Sequence, residues 1–181
     1  MRLFHWPIDL EQLCDWTEEV MQEYPFSCDV AFGTLSKSSD NEWNCYGTTL
    51  LDIYKDDTYD MKVVFFIQEF LNYYNKRLYE LFSSNKLIYA NRRWLVRVFE
   101  NLMYPYIKYK MKKKIRVTVR HEFRHTQQFM YIIENGLDIY KYVEEHKSKE
   151  YGESLLESDA MKFGDDINYN LPFEKLFENK R

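Results

Sequence analysis

At 181 residues, 45% hydrophobic and 18% aromatic, the chain has the length of one domain and enough apolar content for a sizeable core. A formal net charge of −4 argues against a surface built to attract nucleic acid. Three cysteines, Cys14, Cys28 and Cys45, form no CxxC pair, which argues against a disulfide framework or a cysteine-based zinc site, and no apolar run approaches the roughly 18 residues of a membrane span. Glycine is scarce, at 5, and apolar residues recur at helical spacing over long stretches, so an α+β, helix-rich fold is expected. The stretch MRLFHWPIDLEQLCDW is charged too early for a secretory signal, and a reducing, cytoplasmic setting is the expectation.

Leu10, Leu13, Trp16, Val20 and Met21 lie near helical spacing. With Asp9 as N-cap and Pro25 as a stop, they predict a helix over about residues 9 to 24. Residues 29–35 and 43–54 flank the polar loop SKSSDNE and read as a hairpin. The segment 61–82 opens on an apolar run, Val63 to Ile67. It continues with Phe70, Leu71, Tyr74, Leu78 and Leu81 at helical spacing, so a strand leading into a helix is predicted. Residues 91–114 read as a helix kinked or broken near Pro105. The alternating IRVTV at 115–119 reads as a short strand or an extended lead-in to the next helix. That helix should end at Gly136. Residues 137–152 suggest a helical excursion or long loop, and 153–166 a last helix with Leu155, Leu156, Ala160 and Phe163 as its apolar positions. No repeat or linker divides the chain, so a single domain over 1–181 is expected.

The chemistry lies in VRHEFRHTQQFMY, residues 119 to 131, where His121, Glu122 and His125 spell HExxH. Histidines at i and i+4 stack on one side of a helix, so both imidazoles can reach one tetrahedral zinc ion. The intervening glutamate can act on a water beside the ion without ligating it, as a general base. Val119, Phe123, Met130 and Ile133 give this helix a buried face, and His121, His125, Phe129 and Ile132 fall on a neighbouring stripe. The competing reading is a solvated helix face of two histidines, a glutamate and an arginine. A metzincin pattern is excluded, because position 128 is Gln and position 131 is Tyr. The third ligand then comes from His146, in the polar stretch EEHKSK, or from Glu157, in LLESDAMKFG on a predicted helix.

His121-Glu122-x-x-His125 followed by Glu157-x-x-Ala160 on a second helix resembles the gluzincin zinc metallopeptidases. The stretch HEFRHTQQ…LLESDAMKFG is similar to small stand-alone zinc peptidases of bacteria and their phages. The likeness covers about residues 115 to 165. It implies a zincin-like fold, with a small antiparallel or mixed sheet packed on the zinc helix. It also implies Zn2+ as cofactor, His121, His125 and Glu157 as ligands, Glu122 as the catalytic base, and a peptide or protein as substrate. Glu153, one turn earlier, is the alternative ligand. Ala160 fits the small residue that lets the two helices pack closely. The available strands for pairing with an extended substrate are the 29–54 hairpin and the run 62–67. Met161 departs from thermolysin-like members, which carry there an aspartate that orients a ligand histidine. Asp159, Glu153 and Asp165 are the candidate substitutes. Tyr169, Tyr151, Tyr131 and His146 are available to stabilise an oxyanion, and Arg124 is read as a surface or supporting residue.

Two further functions compete. One is a zinc-stabilised, non-catalytic protein that binds a host or regulatory factor. The other is nucleic-acid binding through Lys108, Lys110, Lys112, Lys113, Lys114 and Arg116, with Arg92, Arg93 and Arg97 before them. Such a run is more often a solvated helix end, and with an acidic chain nucleic acid is not the expected partner.

Overall fold

The computed structural model describes residues 8–33, 46–54, 58–84, 93–148 and 153–178. In chain order these form α1 (Leu10–Met21), β1 (Asp29–Gly33), β2 (Gly47–Ile53), β3 (Tyr59–Phe66), α2 (Ile67–Ser84), α3 (Arg93–Glu134), α4 (Ile139–Ser148), α5 (Leu155–Asp165) and α6 (Phe173–Phe177). The fold is α+β and helix-rich, with a small mixed sheet. None of the described helices is long and apolar enough to cross a membrane.

The sheet order is β1-β3-β2, so the expected hairpin between the first two strands is not formed. β3 lies between them, parallel to β1 (Val30 opposite Val63) and antiparallel to β2 (Thr49 opposite Val63). Burial explains the order. Met61, Val63 and Phe65 alternate as fully covered positions on β3, whereas β1 and β2 are only half-buried. The most apolar strand takes the centre, where both its edges are paired. The antiparallel neighbours are β2 and β3, and past their paired ends Tyr54 N–H donates to Thr58 O at 2.8 Å. α2 then starts at Ile67, directly after the last β3 residue.

α3 is a second correction. Residues 93–134 form one helix of 42 residues, about 63 Å long, with Pro105 inside it. Neither a break at Pro105 nor a strand at 115–119 occurs. Pro105 is exposed, so water can substitute for the backbone hydrogen bond that its ring removes. The β-branched run is helical because burial selects the period. Ile107, Met111, Ile115, Val119 and Phe123 recur every fourth residue as one buried stripe. Its first four residues pack with Leu13, Trp16 and Val20 of α1, Phe65 of β3 and Phe70 of α2, and Phe123 meets the Tyr24 and Phe26 rings. Local β propensity is weak against such a stripe.

The basic run lies along the same helix, and part of it is engaged by α1 and by residues beyond it. Lys112 pairs with Glu19 at 2.6 Å and Arg116 with Glu23 at 2.8 Å. Lys108 lies over the Trp16 ring and Lys114 over Tyr46. Burial pushes the Lys114 ammonium down from its ordinary range.

α3 ends as expected at Gly136, whose φ is 62°. Leu137 N–H donates to Ile132 O and Gly136 N–H to Ile133 O, the paired bonds of a Schellman cap. The excursion after it is helical as α4, and the short α6 has no counterpart among the predicted elements. The C-terminal half of α3 joins α4, α5 and α6 in a second cluster around Phe129, Ile132, Tyr142, Leu156, Leu176 and Phe177.

α5 lies against α3 through small residues. Ala160 is fully buried. At Gly164 an added Cβ would stand 2.9 Å from Val117 O and 3.4 Å from His121 Cβ. Gly164→Ala should therefore push α5 away from α3. The expected cost is about 1–3 kcal/mol, read as a lower urea midpoint with an unchanged slope. A midpoint equal to that of the wild type would refute this contact.

Candidate metal centre

His121, Glu122 and His125 lie in the C-terminal third of α3, where the helix is covered on nearly every side. Glu122 and His125 are buried, as are Arg124 and Gln128, while His121 is partly open. The solvated-face reading of the motif is therefore not what the fold contains. Glu157 comes from the first turn of α5. Its backbone is fixed by the N-cap Ser154, whose Oγ accepts from Glu157 N–H at 3.1 Å. A carboxylate in a first turn also suits the positive end of the helix dipole.

These elements bring three side chains to one point. His125 Nε2 lies 3.1 Å from His121 Nε2 and 3.2 Å from Glu157 Oε2, and His121 Nε2 lies 3.3 Å from Glu157 Oε1. The three donor atoms lie within 4.8 Å of one another. Ligands held about 2.0–2.1 Å from a tetrahedral zinc stand about 3.3 Å apart, so the spacing fits that ion. Two imidazole nitrogens and a carboxylate oxygen are also a donor set that zinc accepts. Burial alone would push the His125 imidazole down, but the hydrogen bond to Glu157 and the charges of Glu122 and Glu157 carry it upward. Glu153 is exposed and outside this group.

Glu122 is turned toward the sheet. Thr49 Oγ1 of β2 donates to Glu122 Oε2 at 2.9 Å. Gly47, on the same strand, leaves the space that Glu122 fills, since a Cβ there would stand 3.0 Å from Glu122 Cγ. Burial raises the Glu122 carboxyl, against the pull of His125 and the Thr49 hydrogen bond, and the nearby Glu157 charge adds to the rise. The result is about 7. A carboxyl poised there can take and release a proton at neutral pH.

Behind the three convergent side chains lies a buried network. Asp159 Oδ2 accepts from Arg124 Nε at 2.7 Å and from Gln128 Nε2 at 2.8 Å, and Asp159 Oδ1 accepts from the Tyr169 hydroxyl at 2.9 Å. Burial and the Asp159 bond push the Tyr169 phenol up to about 12, so it remains a donor. Gln128 in turn contacts His125 Nδ1 at 2.9 Å. Arg124 is thus no surface residue. It is 2% exposed and also lies over the Phe173 ring at 4.0 Å.

Of the acidic residues considered as partners for a histidine, only Asp159 is placed near one, and it reaches His125 through Gln128. Met161 and Asp165 are exposed. Of the tyrosines considered for an oxyanion, Tyr169 is held by Asp159 and Tyr131 stacks on Phe177. Tyr151 and the His146 side chain lie outside the described residues. Thr49 and Gly47 were missed entirely, because Thr49 is 73 residues from Glu122 in sequence and only the sheet order brings it close. Gln128 had a local signal, an amide three residues after a ligand histidine.

No protein-family model, no curated protein and no solved structure matches this chain.

Proposed function

We propose that this protein is a zinc-dependent metallopeptidase of the gluzincin type on a zincin-like fold, acting on peptides or proteins. The observation that carries the reading is the convergence of His121, His125 and Glu157 within 4.8 Å, beside a buried Glu122. Those three residues would hold the ion. A zinc ion there supplies a Lewis acid that polarises a carbonyl and acidifies water. Glu122 takes a proton from the attacking water at a carboxylate oxygen and passes it to the leaving amine nitrogen. Thr49 holds that carboxylate in place, and burial keeps it near the working pH. β2 ends the sheet among the described residues and runs past Glu122, so an extended substrate can pair along it.

Metal analysis of purified protein tests the reading. Stoichiometric zinc is expected in the wild type and in Glu153→Ala. His121→Ala, His125→Ala and Glu157→Ala should each lose it. The affinity loss should exceed the about 10- to 100-fold typical of removing a residue that only orients a ligand. Stoichiometric zinc in the His121→Ala/His125→Ala double variant would sink the assignment. Metal lost from Glu153→Ala but kept by Glu157→Ala would move the ligand by one helical turn.

A further inference from the structure

α3 presents two i,i+4 pairs to α5, offset by three residues. His121 and His125 meet Glu157, and Arg124 and Gln128 meet Asp159. Gln128 touches both groups. We propose that Gln128 is a positioning residue for His125, carrying the anchorage of Asp159 to the imidazole Nδ1 and so presenting Nε2 to the metal. The proposal rests on the metal-centre reading and adds a residue to it.

The direction of each hydrogen bond is forced. Gln128 is fully buried, so each of its polar atoms must find a partner inside the protein. Its amide nitrogen faces Leu156 O at 3.0 Å and Asp159 Oδ2 at 2.8 Å, both acceptors. Both amide protons are spent there. The flipped amide would set its oxygen against a carbonyl and a carboxylate at once, so Oε1 is the atom that faces His125. That oxygen only accepts. His125 Nδ1, 2.9 Å away, must therefore donate, which places a proton on Nδ1 and leaves Nε2, facing His121 and Glu157, as the nitrogen that can ligate once a metal displaces any proton it shares with Glu157. Asp159 cannot turn to release Gln128, because Arg124 and Tyr169 hold its two oxygens.

The chain thereby replaces the direct carboxylate–histidine contact with an amide relay. Asp159 lies two residues after Glu157, about 200° around the helix, and so faces away from the ion. An amide of glutamine length on α3 closes the gap.

The test compares the wild type with Gln128→Met, a variant of similar volume without the acceptor. Zinc affinity is measured by chelator competition, folding by circular dichroism, and the His125 Nδ1 proton by imidazole NMR. The wild type should show a protonated Nδ1 whose proton is hydrogen-bonded and protected from exchange, whether or not Nε2 shares a proton with Glu157. Folded Gln128→Met should lose that protection and bind zinc about 10- to 100-fold more weakly. Equal zinc affinity in folded Gln128→Met, or an Nδ1 without a proton in the wild type, overturns the proposal alone. The Nδ1 proton is read on the wild type, so it decides even where Gln128→Met fails to fold. Zinc refused by the wild type overturns the metal reading, and this proposal with it.

Discussion

Glu122→Gln should keep its fold and its zinc while losing hydrolysis by a factor of about 10² to 10⁴, the usual contribution of a general base. Glutamine has nearly the same shape but cannot accept the water's proton. The neighbourhood tolerates the exchange. The Thr49 hydroxyl, which donates to Glu122 Oε2, can equally accept from an amide, and Gly47 leaves the same space. The pH profile gives a second readout. A general base must be ionised to work, so wild-type activity should fall as pH drops through the pKa of the Glu122 carboxyl, which burial raises and the charge of a bound ion lowers. Glu122→Gln should lack that limb. Flexible or unfolded proteins are the first substrates to try. Undiminished cleavage by Glu122→Gln would place the activity elsewhere. No cleavage by zinc-loaded wild type across a broad peptide library would favour the zinc-stabilised binding protein instead.

The candidate ligands were legible in the sequence because their geometry is local. His121 and His125 need only a helix to share a side, and Glu157 needs only a second helix whose small residues let it approach. Ala160, one turn beyond Glu157, is readable over a few residues. The sheet order was not legible in this way. Residues 29–54 looked like a hairpin because adjacent apolar segments usually pair, and nothing local says that β3 inserts between them. The same limit hid α3. IRVTV has the composition of a strand, and only the company of Ile107, Met111 and Phe123 shows that Ile115 and Val119 belong to a stripe of period four. Of the two readings of Arg124 the supporting role holds and the surface one does not, for a related reason. An arginine inside a motif is usually solvated, and its burial depends on Asp159, 35 residues away, reaching it first.

That pairing leads to the largest expected effect on stability. Arg124 and Asp159 have side-chain exposures of 2% and 1%, so each charge depends on the other. Removing one member of such a pair typically costs about 3–5 kcal/mol, because the remaining charge stays buried without compensation. The two removals should not be equal. Without Arg124, Asp159 keeps neutral donors in Gln128 and Tyr169. Without Asp159, Arg124 keeps the Leu171 carbonyl and the Phe173 and Phe163 rings, none of which carries a negative charge. Asp159→Leu should therefore fall at the top of that range and Arg124→Met at the bottom, measured by urea unfolding of the metal-free protein. Combining them should recover part of the loss, since the pair's desolvation vanishes with its charges. Asp159→Leu also frees the Gln128 amide, so its zinc affinity should drop together with its stability. Arg124→Met should lose stability with a smaller loss of zinc affinity. Single variants within about 1 kcal/mol of the wild type would show that the buried pair is not what ties α5 to α3.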